Sequence, residues 1–535
     1  MQFSKLNNDW IKAVLFIFIT FAILAGVVFL ETDGTFSYSL DDPYIHLALA
    51  ENILHGHYGI NLSEPSAPAS SILYPFLLAG TLALGLGQFG PLVINALASF
   101  GAVLALLDIV RGENRLVPTS QSLLAFAIVF IVMIASNLLG VSFTGMEHAL
   151  HIFTSLLVLN GLIRAAETGR VPSWMVAALI VNPLVRFEGL ALSGAALLAL
   201  IWLGHWRISV ITGVVIAILV GGFMYWLTTM GLDPLPSSVL AKSSIMSSAL
   251  DLGSIRSVAN AIAENFGKSL ASASSMSLLI IAAFLLIVRP IARRPIDWRD
   301  PDLIVGFTVG ASIVAHVCVG QFGWFMRYEI YAVIIGLSAI QYTWRVPIKR
   351  FFMKIKLIPL GFIYLSFIGF MSQYWFTTVL TPAASRSIYL QQYQMHRFVT
   401  EYYKRPVAVN DLGWVSFENN HYVLDLWGLG SEKIRRLHHQ MTPTNIEFLD
   451  QLIKKNDIQL IMVHRDLFPI RPASWKLIGV LKSEPVFRVT FRREVTFYTT
   501  PLADKEKIQE ELASFERTLP SGDRFIPAEG TQSSM

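Results

Sequence analysis

Two neighbouring acids, Asp41 and Asp42, are the residues of this sequence with the clearest chemical potential. They follow the apolar run Ala13–Leu30, which is long enough to cross a bilayer. A carboxylate at a membrane exit can take a proton from a hydroxyl group in a lipid-bound reaction. The plainer interpretation is that Asp42 caps a helix whose first residue is Pro43. Capping explains Asp42 better than Asp41, so Asp41 is the better candidate for chemistry.

The residues after the pair predict a short amphipathic helix. Ile45, Leu49 and Ile53 recur at every fourth position, which places them on one helix face. Gly56 suits the left-handed residue beyond the helix end. This helix would lie along the membrane, with the two acids at its start.

A second group could hold a phosphate. Ser237, Ser238 and Lys242 lie together in a polar loop, and a lysine with two hydroxyl groups supplies one charge and several donors. The alternative is that Lys242 only extends from a helix end toward the membrane surface.

Four ionisable residues lie within or beside apolar segments, where charge is costly unless it is paired or functional. Arg186 and Glu188 interrupt one segment, and Glu147 and His148 begin another. Their plainer role is structural. Arg186 and Glu188 could pair with each other, or with Arg327 and Glu147, and so hold a cavity open.

Three histidines near the acids, His46, His55 and His57, raise the question of a metal. Three histidines in one loop are more often surface residues than zinc ligands. A divalent cation such as Mg²⁺ or Mn²⁺, shared by Asp41, Asp42 and a phosphate, is the better metal hypothesis because hard cations favour oxygen ligands.

Composition identifies a multi-pass membrane protein. Of the 535 residues, 54% are hydrophobic and only 15% are charged, and the mean hydropathy is +0.55. One soluble core could not bury so much apolar sequence. The net charge of +4 indicates no nucleic-acid partner, because basic residues at loop ends report membrane topology. The single cysteine, Cys318, excludes an internal disulfide.

Eleven apolar segments are candidate spans. They cover residues 13–30, 72–88, 91–110, 122–141, 147–163, 173–204, 208–228, 277–288, 303–320, 328–344 and 357–380. An odd count, with the N-terminus in the cytoplasm, places the C-terminal part outside the plasma (inner) membrane. It also places two basic clusters inside, as the positive-inside rule requires. These clusters are Arg289, Arg293, Arg294, Arg299 and Arg345, Lys349, Arg350, Lys354, Lys356.

Four arginines do not fit this count. Arg111, Arg115, Arg164 and Arg170 would lie outside. A broken or re-entrant segment would repair the disagreement. Segment 173–204 is the candidate because polar residues and a proline interrupt it, namely Asn182, Pro183, Arg186 and Glu188.

The chain changes character after residue 380, because 38 of its 78 charged residues lie there. The fold class is therefore mainly α: a helical membrane bundle over 1–380, with loops at 31–71 and 229–276, and a small extracytoplasmic α/β domain over 381–503. Residues 504–535 are predicted to be a polar, partly disordered tail. Strands are predicted at Val407–Val409, Tyr422–Leu426, Leu460–Val463 and Val486–Phe491, and a helix over 443–455.

Several separated motifs resemble one family. They are Asp41–Asp42–Pro43–Tyr44–Ile45, Ala50–Glu51–Asn52–Ile53–Leu54, Gly56–His57–Tyr58–Gly59–Ile60–Asn61, Ser70–Ser71 before Tyr74–Pro75, Thr144–Gly145–Met146–Glu147, Leu184–Val185–Arg186–Phe187–Glu188–Gly189, Leu235–Pro236–Ser237–Ser238 with Ala241–Lys242, Arg327–Tyr328, Asn410–Asp411–Leu412–Gly413 and Asp425–Leu426–Trp427–Gly428–Leu429. In this order they resemble the GT-C glycosyltransferases, and most closely the arabinofuranosyltransferase-like members that use polyprenyl-phosphate sugars. Phe187 and the pair Ser237–Ser238 depart from the family pattern, which has proline and Asn-Thr there.

The resemblance implies an enzyme that moves a sugar from a polyprenyl-phosphate donor to an envelope glycan, lipid or protein. It implies Asp41 as the general base, with Arg327 and Lys242 near the donor phosphate and Tyr328 in support. Residues Tyr389–Gln392 and Trp414 could stack on an acceptor glycan or pack in a domain interface. Two alternatives remain open, a transporter or flippase of lipid-linked sugars and an inactive scaffold of the same fold.

Overall fold

Helix α1 runs from Asn8 to Glu31 and ends where the loop carrying the acid pair begins. The structure, a computed structural model, describes residues 8–111, 122–242, 255–292, 295–354, 366, 369–437, 443–486 and 492–528. The next helices are α2 (Asp42–Leu54), α3 (Tyr74–Ala83), α4 (Gly90–Val110), α5 (Ser122–Ala135), α6 (Leu138–Ser142), α7 (His148–Thr168), α8 (Ser173–Val185), α9 (Gly189–Trp202), α10 (Trp206–Thr229) and α11 (Ser237–Lys242).

The second half of the bundle continues in the same way. Its helices are α12 (Ile255–Leu270), α13 (Ala273–Ala283), α14 (Pro301–Val319), α15 (Ile330–Thr343), α16 (Arg345–Lys354) and α17 (Ser372–Ile388). Helical turns extend α13 to Ala292 and α17 to Tyr403. The second extension carries the chain from the bundle into the C-terminal domain, past the predicted boundary at residue 380.

Five helices of the described chain are long and apolar enough to cross a membrane, judged by length and composition. They are Gly87–Val110, His148–Thr168, Trp206–Thr229, Ala273–Ala292 and Pro301–Val319. Leu15–Glu31, Tyr74–Ala83, Ser173–Val185, Gly189–Trp202 and Ile330–Thr343 are shorter apolar helices. The predicted helical bundle with apolar helices of membrane-spanning length is therefore confirmed, while the count of eleven spans remains a prediction.

Two predicted spans have a different form from the one expected. Segment 72–88 contains α3, whose ten residues reach about 15 Å, half of a bilayer core. Segment 173–204 is broken into α8 and α9 at Arg186, which has an extended backbone, as its polar residues predicted. Asn182 and Gly189 meet closely at this break, because a Cβ on Gly189 would lie 2.6 Å from the Asn182 carbonyl oxygen.

The ends of several helices meet in one basic cluster, which we call the basic end. Arg164 at the end of α7 pairs with Asp108 at the end of α4, at 2.8 Å. Asp302 at the start of α14 binds Arg345 and Arg289, the latter at 2.5 Å. The Tyr342 hydroxyl near the end of α15 donates to Glu167 near the end of α7 at 2.9 Å and joins these two parts of the cluster. Arg111 follows α4 directly and Arg170 lies just beyond α7.

The expectation that Arg111, Arg164 and Arg170 lie on the side opposite Arg289 and Arg345 is therefore wrong. The physical reason is the short α3 of ten residues. The chain returns after it to the first loop, where the Tyr38 hydroxyl donates to the Gln88 carbonyl at 2.7 Å before α4 begins. Arg115 lies outside the described residues, as do Arg293 and Arg294 of the other clusters.

The C-terminal domain contains a six-stranded mixed sheet with the order β2-β1-β3-β5-β4-β6. The strands are β1 (Val407–Val409), β2 (Val423–Asp425), β3 (Leu460–Val463), β4 (Lys476–Lys482), β5 (Glu494–Thr499) and β6 (Arg524–Pro527). Its helices are α18 (Gly413–Ser416), α19 (Glu432–Leu437), α20 (Pro443–Lys455) and α21 (Lys505–Glu516). The predicted strands β1, β2 and β3 and helix α20 are confirmed; most of the predicted strand 486–491 lies outside the described residues.

The tail predicted to be polar and partly disordered contains a helix and a strand between residue 505 and the last described residue, 528. Helix α21 buries Ile508, Leu512 and Phe515, and β6 pairs with β4 in the sheet. The apolar spacing of α21 stabilises it because its inner face covers the sheet. The folded domain therefore continues to the last described residue.

The C-terminal domain rests on the first loop of the bundle. The side-chain amide of Asn61 donates to the Val423 carbonyl and accepts from the Val423 N–H, both at 2.9 Å. Next to this contact, the Tyr422 hydroxyl donates to Glu64 at 2.7 Å. Strand β2 is an edge strand, so Asn61 covers a free edge of the sheet.

Candidate active site

Asp41 ends a buried loop that is fixed on both sides. The Tyr38 hydroxyl donates to the Gln88 carbonyl at 2.7 Å, and the Tyr38 N–H donates to the Tyr44 hydroxyl at 3.1 Å. The ring of Tyr44 then stacks on Trp414 of the C-terminal domain, with centroids 3.8 Å apart. These contacts place Asp41 at the junction of bundle and C-terminal domain.

The Asp41 carboxylate is held by the backbone of that domain. Its two oxygens accept hydrogen bonds from the N–H groups of Gly413 and Trp414, each at 2.8 Å. Glycine is required at 413, because a Cβ there would lie 2.6 Å from the Asp41 Cγ. The domain therefore orients the side chain predicted to be the base.

Asp42 has a different partner. Its Oδ2 accepts a hydrogen bond from Arg327 Nη2 at 2.5 Å, and the same nitrogen lies 3.1 Å from the Tyr328 hydroxyl. The interpretation of Asp42 as a helix cap is wrong, since Asp42 is the first residue of α2 and Asp41 holds the cap position without a side-chain bond. Gly56 is left-handed, with φ of +75°, as predicted.

Asp411 is a third carboxylate of the site. The sequence named it only as part of a motif and gave it no role. Its oxygens accept hydrogen bonds from Gln392 at 2.9 Å and Asn410 at 2.8 Å, and His464 Nε2 lies 3.2 Å away. Only the motif Asn410–Asp411 signalled it, because Gln392 and His464 lie far from it in sequence.

The three acids differ in their charge environment. Burial, followed by the charge of Asp411, raises the pKa of Asp41 to about 8, although the two backbone N–H groups oppose this. Burial also raises the pKa of Asp411, but the hydrogen bond and charge of His464 outweigh it and lower that pKa below its ordinary value. Asp411 is thus held as a carboxylate, whereas Asp41, with its raised pKa, retains its proton.

The ionisable residues within the bundle form one network. Arg186 donates to Glu147 and to Glu188, each at 2.6 Å, and Ser70 donates to the same oxygen of Glu147 at 2.9 Å. Arg186 also lies over the Tyr328 ring, 5.6 Å from its centroid. The structure therefore contains the expected pairing of Arg186 with Glu147 and Glu188, while Arg327 binds Asp42 instead.

Tyr328 connects this network to the acid pair. Arg327 lies 5.1 Å from the centroid of its ring, and His148 lies 5.9 Å from it, ring to ring. The predicted supporting residues are thus gathered at one place. Two nitrogens of the buried Arg327, Nε and Nη1, have no hydrogen-bond partner among the described residues.

The predicted phosphate loop is described only in part. Ser237 and Ser238 are buried, and the Ser237 N–H donates to the Ala67 carbonyl at 2.8 Å, which joins this loop to the first one. The Ser238 hydroxyl is buried without a partner in the described chain. The side chain of Lys242 lies outside the described residues, so its role stays a prediction.

The three histidines do not converge. His46 is buried against the edge of Tyr74, His55 Nδ1 lies 2.9 Å from the Glu51 carbonyl, and His57 Nε2 lies 3.0 Å from the Glu64 carbonyl. Across the described ranges, no group of three or more histidine, cysteine or acidic residues is arranged to hold a metal.

A divalent cation at Asp41 and Asp42 also fits these contacts poorly. Both Asp41 oxygens accept N–H groups, and the Arg327 guanidinium, which repels a cation, holds Asp42. A divalent cation at this site stays a prediction.

The aromatic residues considered for stacking on an acceptor glycan pack between the bundle and the C-terminal domain. Trp414 is 3% exposed and lies between Tyr44 and Tyr393. Tyr389 stacks on Tyr393. Of the two alternatives, packing describes Trp414, since so small an exposed area leaves no ring face for a glycan.

Comparison with known proteins gives three findings. Residues 386–498 match a domain of unknown function, DUF8728. The apo oligosaccharyltransferase of Archaeoglobus fulgidus is 11% identical, with a TM-score of 0.45 over 96% of this chain and 76% of that one. The oligosaccharyltransferase AglB of the same organism, bound to an inhibitory peptide and a dolichol-phosphate, has the same identity and coverage and a TM-score of 0.43. No curated protein matches the sequence.

Proposed function

We propose that this protein is a membrane glycosyltransferase of the GT-C class. It moves a sugar from a polyprenyl-phosphate donor to a hydroxyl group of an envelope glycan, lipid or protein. One observation carries the proposal: of three acids gathered at the edge of the bundle, only Asp41 has no cationic partner among the described residues. Asp42 pairs with Arg327 and Asp411 with His464, whereas Asp41 is oriented by two backbone N–H groups.

Asp41 is the general base in this proposal. The acceptor hydroxyl oxygen attacks the anomeric carbon of the donor while its proton passes to Asp41. The bond from the anomeric carbon to the phosphate oxygen breaks, and the polyprenyl phosphate leaves with both electrons of that bond. A carboxyl group of raised pKa suits this step, because it holds the proton once it has accepted it. The same base on the face opposite the phosphate would invert the anomeric centre.

The leaving phosphate needs positive charge and hydrogen-bond donors. Arg327 offers two buried N–H directions without a partner among the described residues, next to Asp42 and therefore next to Asp41 in the chain. Ser238 adds a buried hydroxyl group. Lys242, one turn further along α11, would add a second positive charge for the phosphate. The polyprenyl chain of the donor would remain in the membrane.

The orientation of the bundle supports the same assignment. The basic end collects arginines from the ends of four helices, which the positive-inside rule places in the cytoplasm. The acid site and the C-terminal domain lie at the other end. We therefore place the reaction on the extracytoplasmic face of the plasma membrane, with the N-terminus of the chain inside.

Purified protein in vesicles tests the proposal directly. A panel of polyprenyl-phosphate sugars, labelled in the sugar, is offered with envelope extract as the acceptor, and free polyprenyl phosphate is measured. We expect release by the wild type and none by Asp41→Asn. The control Glu510→Gln changes an exposed acid of helix α21 in the same domain, and should release lipid normally.

The alternatives predict other outcomes. A transporter or flippase moves the intact donor between leaflets without releasing polyprenyl phosphate, and an inactive scaffold does neither. Normal release by a well-folded Asp41→Asn protein would remove Asp41 as the base. Unfolding temperatures of all three proteins establish that the variants are folded.

A further inference from the structure

We propose that Asp411 is a positioning residue of this reaction: its carboxylate, supplied by the C-terminal domain, strengthens Asp41 as a base. The inference rests on the proposed function and adds a residue from outside the membrane bundle to its site. It follows from where Asp411 lies and from what holds it there.

Asp411 and the groups that orient Asp41 belong to one short segment. Gly413 and Trp414 bind the two Asp41 oxygens, and Asp411 precedes Gly413 by two residues. The segment that orients Asp41 thus also carries Asp411, whose charge acts on Asp41. Two acids so placed cannot both ionise freely, because each charge opposes the other.

His464 decides which of the two acids keeps its charge. Its Nδ1 lies 2.9 Å from the Glu494 carbonyl oxygen, and its Nε2 lies 3.2 Å from Asp411. Both neighbours are acceptors, so both ring nitrogens are satisfied only when each carries a proton. The imidazolium form then holds Asp411 as a carboxylate. Burial lowers the pKa of His464, but Asp411 more than compensates and raises it overall.

The other titratable groups around the acids contribute less than Asp411. Asp42 also raises the pKa of Asp41, but more weakly, because Arg327 is paired with it. Burial raises the pKa of the Tyr44 hydroxyl, which keeps it neutral, and burial lowers the pKa of His396, against Trp414, to about 4. A further group, Arg492, lies near His464 and pairs with Asp466.

The backbone donors and Asp411 therefore act in opposite directions on Asp41. Two N–H groups alone would favour the carboxylate and give a weak base. Burial and, after it, the ionised Asp411 restore the proton affinity of Asp41, while the N–H groups keep its geometry. The orientation of the base and part of its basicity thus come from the same four-residue segment of the C-terminal domain.

The test is an infrared titration of the protonated-carboxyl band of the full-length protein, which needs no substrate. The band lost in Asp41→Asn identifies Asp41. In Asp411→Asn we expect its midpoint to fall by about one pH unit or more, because a like charge has been removed. Glu510→Gln, which removes an exposed acid of α21, should titrate as the wild type does.

Transfer assays provide the second readout. The acidic limb of the kcat/KM profile should move to lower pH by the same amount in Asp411→Asn, and kcat on the plateau should fall because the base is weaker. Asp411→Ser provides a second neutral replacement if the asparagine variant does not fold. A lower kcat with an unmoved midpoint would mean that Asp411 only holds its segment in place, and would overturn the inference.

The two proposals fail separately. A wild type that releases no polyprenyl phosphate refutes the transferase function, whatever the infrared midpoints are. Normal transfer by the wild type, with identical midpoints in wild type and Asp411→Asn, refutes the role of Asp411 alone.

Discussion

Replacing Gly413 by alanine tests whether the C-terminal domain aims the base. The added Cβ would lie 2.6 Å from both Cγ and Oδ2 of Asp41 and would also meet the Asp41 carbonyl oxygen. Carbon atoms pack at about 3.5–4.0 Å, so the carboxylate or the segment must move by about 1 Å. A misplacement of that size costs about a hundredfold in rate, or about 2.7 kcal/mol in the activation barrier. We therefore expect Gly413→Ala to lower kcat by that factor.

The assay is release of polyprenyl phosphate at saturating donor, with a folded-state check by thermal unfolding. Gly80→Ala is the matched control, since Gly80 lies in α3 and a Cβ there meets nothing within 4 Å. The control should keep the rate of the wild type. A Gly413→Ala protein that is folded and turns over normally would show that the two N–H contacts do not position Asp41.

Four further outcomes are expected. Transfer should rise with pH toward about 8, where Asp41 ionises, because only the ionised form accepts a proton; a profile that is flat below that pH contradicts the base assignment. EDTA should leave transfer unchanged, and a loss restored by Mg²⁺ or Mn²⁺ would reveal a metal. Lys242→Ala should weaken donor binding about ten- to a hundredfold, as loss of one charge-assisted contact does, and unchanged donor kinetics would place the phosphate elsewhere. A cysteine at the exposed Glu506, in a protein carrying Cys318→Ala, should label from outside intact cells; labelling only after lysis reverses the topology.

The sequence predicted those features that are set by local chemistry. Helix α2, the left-handed Gly56 and the start of α20 at Pro443 depend on neighbouring residues, and all are found. The break between α8 and α9 was also predictable, because Pro183 removes a helical hydrogen bond and nearby charges avoid lipid.

Contacts between residues far apart in the chain could not be predicted from the sequence. Gly413 binds Asp41 across 372 positions and Arg327 binds Asp42 across 285, and no periodicity encodes such partners. The same limit explains the error at Asp42. An acid at the start of a helix gives the same sequence signal whether it caps that helix or forms an ion pair with a distant arginine. It also explains the missed role of Asp411, whose partner His464 lies 53 residues away.

Length estimates misled in two places. The apolar run 72–88 is long enough for a span, but Gly85 and Gly87 have positive φ and turn the chain within it. The polar composition after residue 504 indicated disorder, yet three apolar residues of α21 at helical spacing are enough to bury one face. Composition therefore overestimated the length of the helix in the first segment and underestimated the amount of folded structure in the second.

The Asn61 amide has a consequence for how this chain can be divided. A primary amide presents an N–H donor beside a carbonyl acceptor, as a peptide group does, and here it takes the place of the strand that β2 lacks. A fragment containing only residues 386–528 would expose that strand, and an unpaired edge invites pairing with another copy. The membrane bundle thus protects the sheet against self-association, and a soluble version of the domain would need a charged or proline residue on β2 to stay monomeric.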